Sequence, residues 1–363
     1  MLMPTRGASS GVRTLAVGLL LGVVIVASTP APAAAHGVGG VEPSNYRARV
    51  ASVDPAAADI VVQPVDLGTR LELTNRGTTD VVVLGYDGEP YLRVGPRGVF
   101  ENTRSPATYL NRTLRLDEAS EPVPASADPD ASPSWRRVDD GRTARWHDHR
   151  AHWMGRADPP VVQRAPDREH LIQRFEVELQ QGPATIVVRG DVRWVPGPAP
   201  WPWLVGALVL AGLVVAAGHT RRATPLVAAT LGLVAVGEAL HVIGSWGGTT
   251  LPTGDRLGAS IYAIGAIVLL IVAMISVLRR GLDRAAPQVL IAGLFVALAG
   301  GLADVTALAR SGIPTTLAPD LARATVMLAL GAGLGLAAVG GLRLRVPGRT
   351  REARDQQTGR TEG

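Results

Sequence analysis

Cysteine is absent from this chain, and so is lysine: every one of the 36 basic Lys/Arg positions is arginine. Without thiols there is no disulfide framework and no thiolate metal site, so any bound metal must use nitrogen, oxygen or thioether ligands. Aromatic residues are sparse at 4%. The motifs of several large enzyme classes are also missing. There is no G-x-S-x-G elbow, no P-loop and no H-E-x-x-H, and "GVGG" near the start lacks the strand–turn–helix setting of a nucleotide site. No enzymatic activity is expected on these grounds. The net charge of +5 does not point to nucleic acid, because many arginines sit beside hydrophobic segments. Arginine in place of lysine, with abundant Ala, Gly, Val and Pro, fits the coding bias of a GC-rich bacterial genome.

What the chain does have is unevenly spread apolar sequence. The first 35 residues read as a secretory signal peptide. Arg6 and Arg13 form a basic start, "TLAVGLLLGVVIVA" the apolar stretch, and "APAAAHG" a small-residue end with Ala33 and Ala35 at the −3 and −1 positions. Cleavage there leaves His36 first.

Residues 201–345 read as a transmembrane domain. Five segments, about 201–218, 225–246, 257–278, 287–309 and 322–342, each approach the roughly 20 apolar residues that a bilayer needs. "HTRRATP", "LRRGLDRAAP" and "RLRVPGRTREAR" alternate with arginine-poor loops, which places these basic stretches and the 346–363 tail in the cytoplasm. The N-terminal domain is then extracytoplasmic, in agreement with the signal peptide. Trp201, Trp203 and Trp246 fall at the outer interface. Gly293, Ala297 and Gly301 have the small-xxx-small spacing of closely packed helices. Ionisable residues are few in the spans. Glu238 and His241 share a face of the second, and Asp304 lies in the fourth at similar depth. They form a candidate membrane site for metal or protons, against the alternative of a structural pair tying two helices.

Residues 36–200 read as short strands separated by turns such as "NRG", "DGEP" and "QQGP", the pattern of an immunoglobulin-like β-sandwich. The fold class expected is therefore α+β in separate domains: an extracytoplasmic sandwich followed by a five-helix transmembrane bundle. "LDEASEPVPASADPDASPS" is an acidic loop, and "PGPAPWPW" a stiff connector into the membrane. Within this half, "RWHDHRAHWMG" gathers three histidines. If "TARWHDH" is a strand, His147 and His149 share a face, with His152 and Met154 following at its end. Paired imidazoles with a nearby third donor suit Cu(II) or zinc, Met154 adds a soft ligand suited to Cu(I), and Asp148 or Glu169 is placed to orient a ring. The alternative is a solvated strand edge.

A secreted β-sandwich opening with His at "AAAHG" and joined to a multi-span region resembles the bacterial copper-resistance families CopC and CopD. The chain departs from them in its longer soluble part and its fewer spans. The resemblance implies a copper ion held by His36 with partners among His147, His149 and His152. The leading expectation adds transfer of the captured metal toward Glu238, His241 and Asp304. The competing expectation is a non-metal module that docks an envelope protein partner. In both cases the bilayer is a partner, and the localisation is the cell membrane.

Overall fold

A computed structural model of the chain describes residues 41–112 and 122–345. The expected signal peptide, His36, part of the acidic loop and the basic tail lie outside the described residues. An antiparallel β region spans residues 46–194 and is followed by five apolar helices.

The β region holds ten strands: β1 (Tyr46–Asp54), β2 (Ile60–Val65), β3 (Arg70–Asn75), β4 (Val81–Leu84), β5 (Pro90–Gly95), β6 (Gly98–Asn102), β7 (Trp135–Asp139), β8 (Thr143–Trp146), β9 (His170–Gln181) and β10 (Ala184–Trp194). They form a seven-stranded sheet ordered β1-β10-β9-β4-β5-β6-β7 and a three-stranded sheet ordered β2-β3-β8. Strand side chains alternate between faces, and the burial follows. Leu71 and Leu73 of β3, Val81 and Val83 of β4, and Phe175, Val177 and Leu179 of β9 are buried, and their intervening neighbours are more exposed. Residues from both sheets meet in one apolar core. Gly190 is required where β10 crosses that core, because a Cβ there would lie 2.2 Å from the Phe175 ring.

The helices are α1 (Trp201–Gly218), α2 (Ala223–Gly247), α3 (Thr253–Arg280), α4 (Leu282–Val296) and α5 (Pro319–Leu344). Each is long and apolar enough to cross a membrane when the turn that continues α4 to Leu302 is included. Large apolar side chains stand outward, with Leu213 at 62%, Ile243 at 66% and Leu278 at 61% exposure. Such a belt is unfavourable in water and matches a lipid surface. Helix α5 is the packing centre. A Cβ on Gly293 would lie 2.5 Å from the Ala337 nitrogen, and one on Gly331 would lie 2.5 Å from the Ala207 carbonyl oxygen. Glycine thus lets α4 and α1 approach the α5 backbone, the close packing that the small-residue spacing predicts.

The fourth span differs from the continuous helix expected to 309. After Val296 the chain widens into a π turn over Ala297–Leu302, then passes through Asp304 into a 3₁₀ turn over Val305–Ala309. The cause is local. Gly301 sits against the backbone of Leu330, 2.6 Å from where its Cβ would be, and Gly300 sits against the Glu238 carboxylate. Adjacent glycines hold a helix weakly and admit such irregularity.

The β region and the bundle follow one another along the chain and touch through two joints. Ser44 and Gly312 exchange two backbone hydrogen bonds, of 3.0 and 2.9 Å. Asp66 reaches the α2–α3 loop, accepting from Thr249 Oγ1 at 3.1 Å, from the Thr250 amide at 2.7 Å and from Thr250 Oγ1 at 2.7 Å. Asp66, Leu67 and Gly68 all have positive φ, of 53°, 59° and 88°. This is a costly backbone for the first two residues, and the three bonds to Asp66 help to hold it.

Candidate functional site

Two groups of chemically capable side chains emerge, one at the foot of the β region and one inside the bundle.

The first is the histidine-rich stretch. Strand β8 ends at Trp146, so His147 and His149 are not placed together on one strand face as the alternation predicts. The reason is Asp148, which is 1% exposed and turns inward. Its carboxylate accepts from Trp146 Nε1 at 2.9 Å and from Arg150 Nε and Nη2, both at 2.9 Å. A buried carboxylate needs such partners, and satisfying them bends the chain out of the strand.

His147 then faces the strained turn. Its Nδ1 donates to the Thr69 carbonyl at 2.7 Å, and its Nε2 accepts from Arg70 Nε at 3.4 Å. Both ring nitrogens are thereby used, and the ring is neutral. Burial pushes His147 down to about 4, with Arg70 and His152 adding to the effect and Thr69 and Asp66 opposing it.

His149 and His152 come together instead, their rings edge to face with centroids 5.9 Å apart. His149 also stacks on Tyr86 at 6.0 Å, and its amide donates to the Tyr86 hydroxyl at 3.1 Å. Burial, reinforced by Asp148, drives the Tyr86 phenol well above its usual range. His152 Nδ1 donates to the Asp148 carbonyl at 3.2 Å. Met154 follows, partly buried, in the irregular segment after His152. Glu169 is paired with Arg193 at 3.0 Å.

The second group is the membrane trio. His241 Nε2 lies 3.3 Å from Asp304 Oδ2, joining α2 to the break in the fourth span. Glu238 is 4% exposed and lies one turn away on the same helix, its carboxylate against Gly300 of the same break. The spacing of Glu238 and His241 pointed to a shared face, and the fold brings Asp304 to that face. The glycine-driven break is what the sequence reading missed. Its signal was the Gly300–Gly301 pair immediately before Asp304.

His241 and Asp304 line a cavity of about 100 Å³ at the end of the bundle on which the β region sits. Ser245, Trp246 and Arg256 contribute to its wall, and Val41 and Pro43 from the leading segment of the β region border it. Trp246 Nε1 donates to Ser260 Oγ at 2.7 Å, and Arg256 donates to the Leu251 and Trp246 carbonyls at 2.6 and 3.2 Å. The α2–α3 turn is therefore tied down beside the cavity.

Among the described residues, no three His, Asp or Glu side chains are grouped as ligands for a metal ion. Comparison with protein-family models, with curated proteins and with solved structures gives no match.

Proposed function

We propose that the protein is a multi-pass protein of the bacterial cell membrane that takes up protons at the Glu238–His241–Asp304 site, from the side on which the β region is docked. The observation that carries this reading is the 3.3 Å contact of His241 with Asp304 at a break in a membrane helix, with the buried Glu238 one turn away on α2. Two carboxylates and one imidazole in a low-dielectric site cannot all hold full charge at small cost. Even with the imidazole protonated, one negative charge stays uncompensated, and a bound proton restores neutrality. Interrupted helices within a membrane are tolerated where they line a cavity, and the cavity bordered by His241 and Asp304 is such a place. In this reading the β region is an immunoglobulin-like sandwich acting as an extracytoplasmic cap, and the arginine-rich loops face the cytoplasm.

Infrared difference spectroscopy between acid and neutral pH, on protein in nanodiscs, tests the proposal. The expected result is a titrating carboxylic-acid carbonyl band that disappears in Glu238→Gln or Asp304→Asn. A wild-type difference spectrum without a membrane-site band overturns it. Proton flux into liposomes, read with a pH dye and reduced in His241→Gln, distinguishes a relay from a static pair.

A second reading rests on the contact between His149 and His152. Two imidazoles at this spacing suit a transition metal, with copper the ion matched by a nearby Met154 and by His36. Captured copper would then pass toward the membrane trio. His147 drops out of that ligand set because both its nitrogens are engaged. Competition titration of Cu(II) decides: affinity falls in a His149→Ala, His152→Ala double variant and holds in His147→Gln. Equal affinity in all three proteins removes this reading.

A further inference from the structure

At the end of the bundle opposite the β region, a cavity of about 330 Å³ opens between the start of α2, the α3–α4 turn and the end of α5. Arg280, Arg284 and Arg343 line it, with Thr224 and a single carboxylate, Asp283. Arg343 is fixed in place: its Nη1 pairs with Asp283 Oδ1 at 2.6 Å, and its Nη2 donates to the Gly218 carbonyl at 2.6 Å. That contact meets the charge of Asp283. Arg280 and Arg284 form no ion pair among the described residues, so three guanidinium groups face one carboxylate and two positive charges remain. The starts of α2 and α4 also border the cavity, and neither has a side-chain cap on its first amides. In α2 the Ala223 amide already donates to the Thr220 carbonyl and Pro225 has no N–H, so the free first-turn donors come mainly from α4, while both helices present the positive ends of their dipoles. Planar guanidinium groups with spare donors fit the oxygens of a phosphate group.

We propose that this cavity binds the phosphate group of an anionic ligand. Its position, at the ends of four membrane helices, puts the site at the level of lipid headgroups, where basic pockets between helices hold anionic phospholipids. A soluble phosphate species offers the same oxygens, and the two sources separate by experiment.

The full-length protein is placed in nanodiscs of phosphatidylcholine alone or with added phosphatidylglycerol, and lipid binding is read by native mass spectrometry and by the shift in thermal unfolding. Inorganic phosphate is titrated in a parallel arm. The variant is Arg280→Gln with Arg284→Gln. Both side chains are exposed, so the fold is retained. The control is Arg279→Gln, the adjacent arginine on the same helix end, which does not line the cavity.

The expected result is a roughly 30-fold loss of phosphatidylglycerol affinity in the double variant, from about a fivefold effect per arginine near the surface. In Arg279→Gln the loss is at most a few-fold, and Asp283→Asn binds at least as tightly as wild type. Binding of inorganic phosphate without lipid preference, lost in the same double variant, assigns the site to a soluble phosphate species. Absence of both kinds of binding overturns the proposal. So does an equal loss in Arg279→Gln and the double variant, which reduces the effect to diffuse surface charge.

Discussion

Acid is expected to loosen the joint between the β region and the bundle through one imidazole. His147 braces the turn that carries Asp66, and burial holds its ring down to about 4 against an ordinary value of 6.5. Above pH 6.5 the ring is neutral in both folded and unfolded chains, and its contribution to stability is fully present. Between pH 6.5 and 4 the unfolded chain binds a proton that the folded chain refuses, so stability falls as pH falls. The limiting slope is about 1.4 kcal/mol per pH unit. Partial exposure of the ring trims the total over this window to about 2–3 kcal/mol. Below pH 4 the folded ring also takes a proton. The imidazolium then loses its acceptor for Arg70 and stands beside that arginine and His152, with Asp66 as the one countercharge. The perturbation is His147→Gln, whose amide can donate to Thr69 and accept from Arg70 without titrating. The assay is thermal unfolding of the full protein in nanodiscs at several pH values, followed by near-ultraviolet circular dichroism of the buried Trp146. Carboxylates titrate alike in both proteins, so the difference in slope isolates His147. Superimposable pH profiles of wild type and variant would refute the reasoning.

Asp148→Ala is expected to cost about 3–5 kcal/mol, because it leaves the partly buried Arg150 and the Trp146 indole without their shared acceptor; chemical denaturation of the β region measures it. Asp66→Ala removes all three bonds to the α2–α3 loop, so amide exchange at Thr249–Leu251 should rise by at least tenfold while exchange in β9 stays unchanged. Gly301→Val should sharply lower membrane abundance, since a Cβ there meets the Leu330 Cα at 2.6 Å; normal abundance would show that the π turn absorbs the added bulk.

Much of the fold was legible because it depends on local pattern. Short strands separated by turns were legible over 36–200, where β1 to β10 lie, and the five apolar runs became five helices. Strands β6 and β7 are hard to read from sequence because "GVFEN" and "WRRVD" are short and lack alternation; their pairing with each other, Val99 with Asp139 and Phe100 with Arg137, defines them. The histidine stretch was legible as chemistry and misleading as geometry. Nothing near His147 in sequence discloses that Thr69 and Arg70, on the partner side of the β3–β8 pair, consume its ring. The membrane trio was half legible. Helical spacing puts Glu238 and His241 on one face, but only the packed bundle brings Asp304 to it.

The two chemically capable groups are mechanically connected. His147 holds Thr69 and Arg70, whose turn carries Asp66, and Asp66 holds Thr249 and Thr250. Those threonines follow directly from α2, the helix of Glu238 and His241, and precede α3, whose Ser260 accepts from Trp246. Each link is a hydrogen bond or a short piece of backbone, and the turn at its centre is held away from the conformation that Asp66 and Leu67 would otherwise prefer. Such a turn is stable only while its partners stay in place. Releasing either end therefore frees the other to relax. The β region is in this way joined by hydrogen bonds and short backbone segments to the rim of the cavity that His241 and Asp304 border.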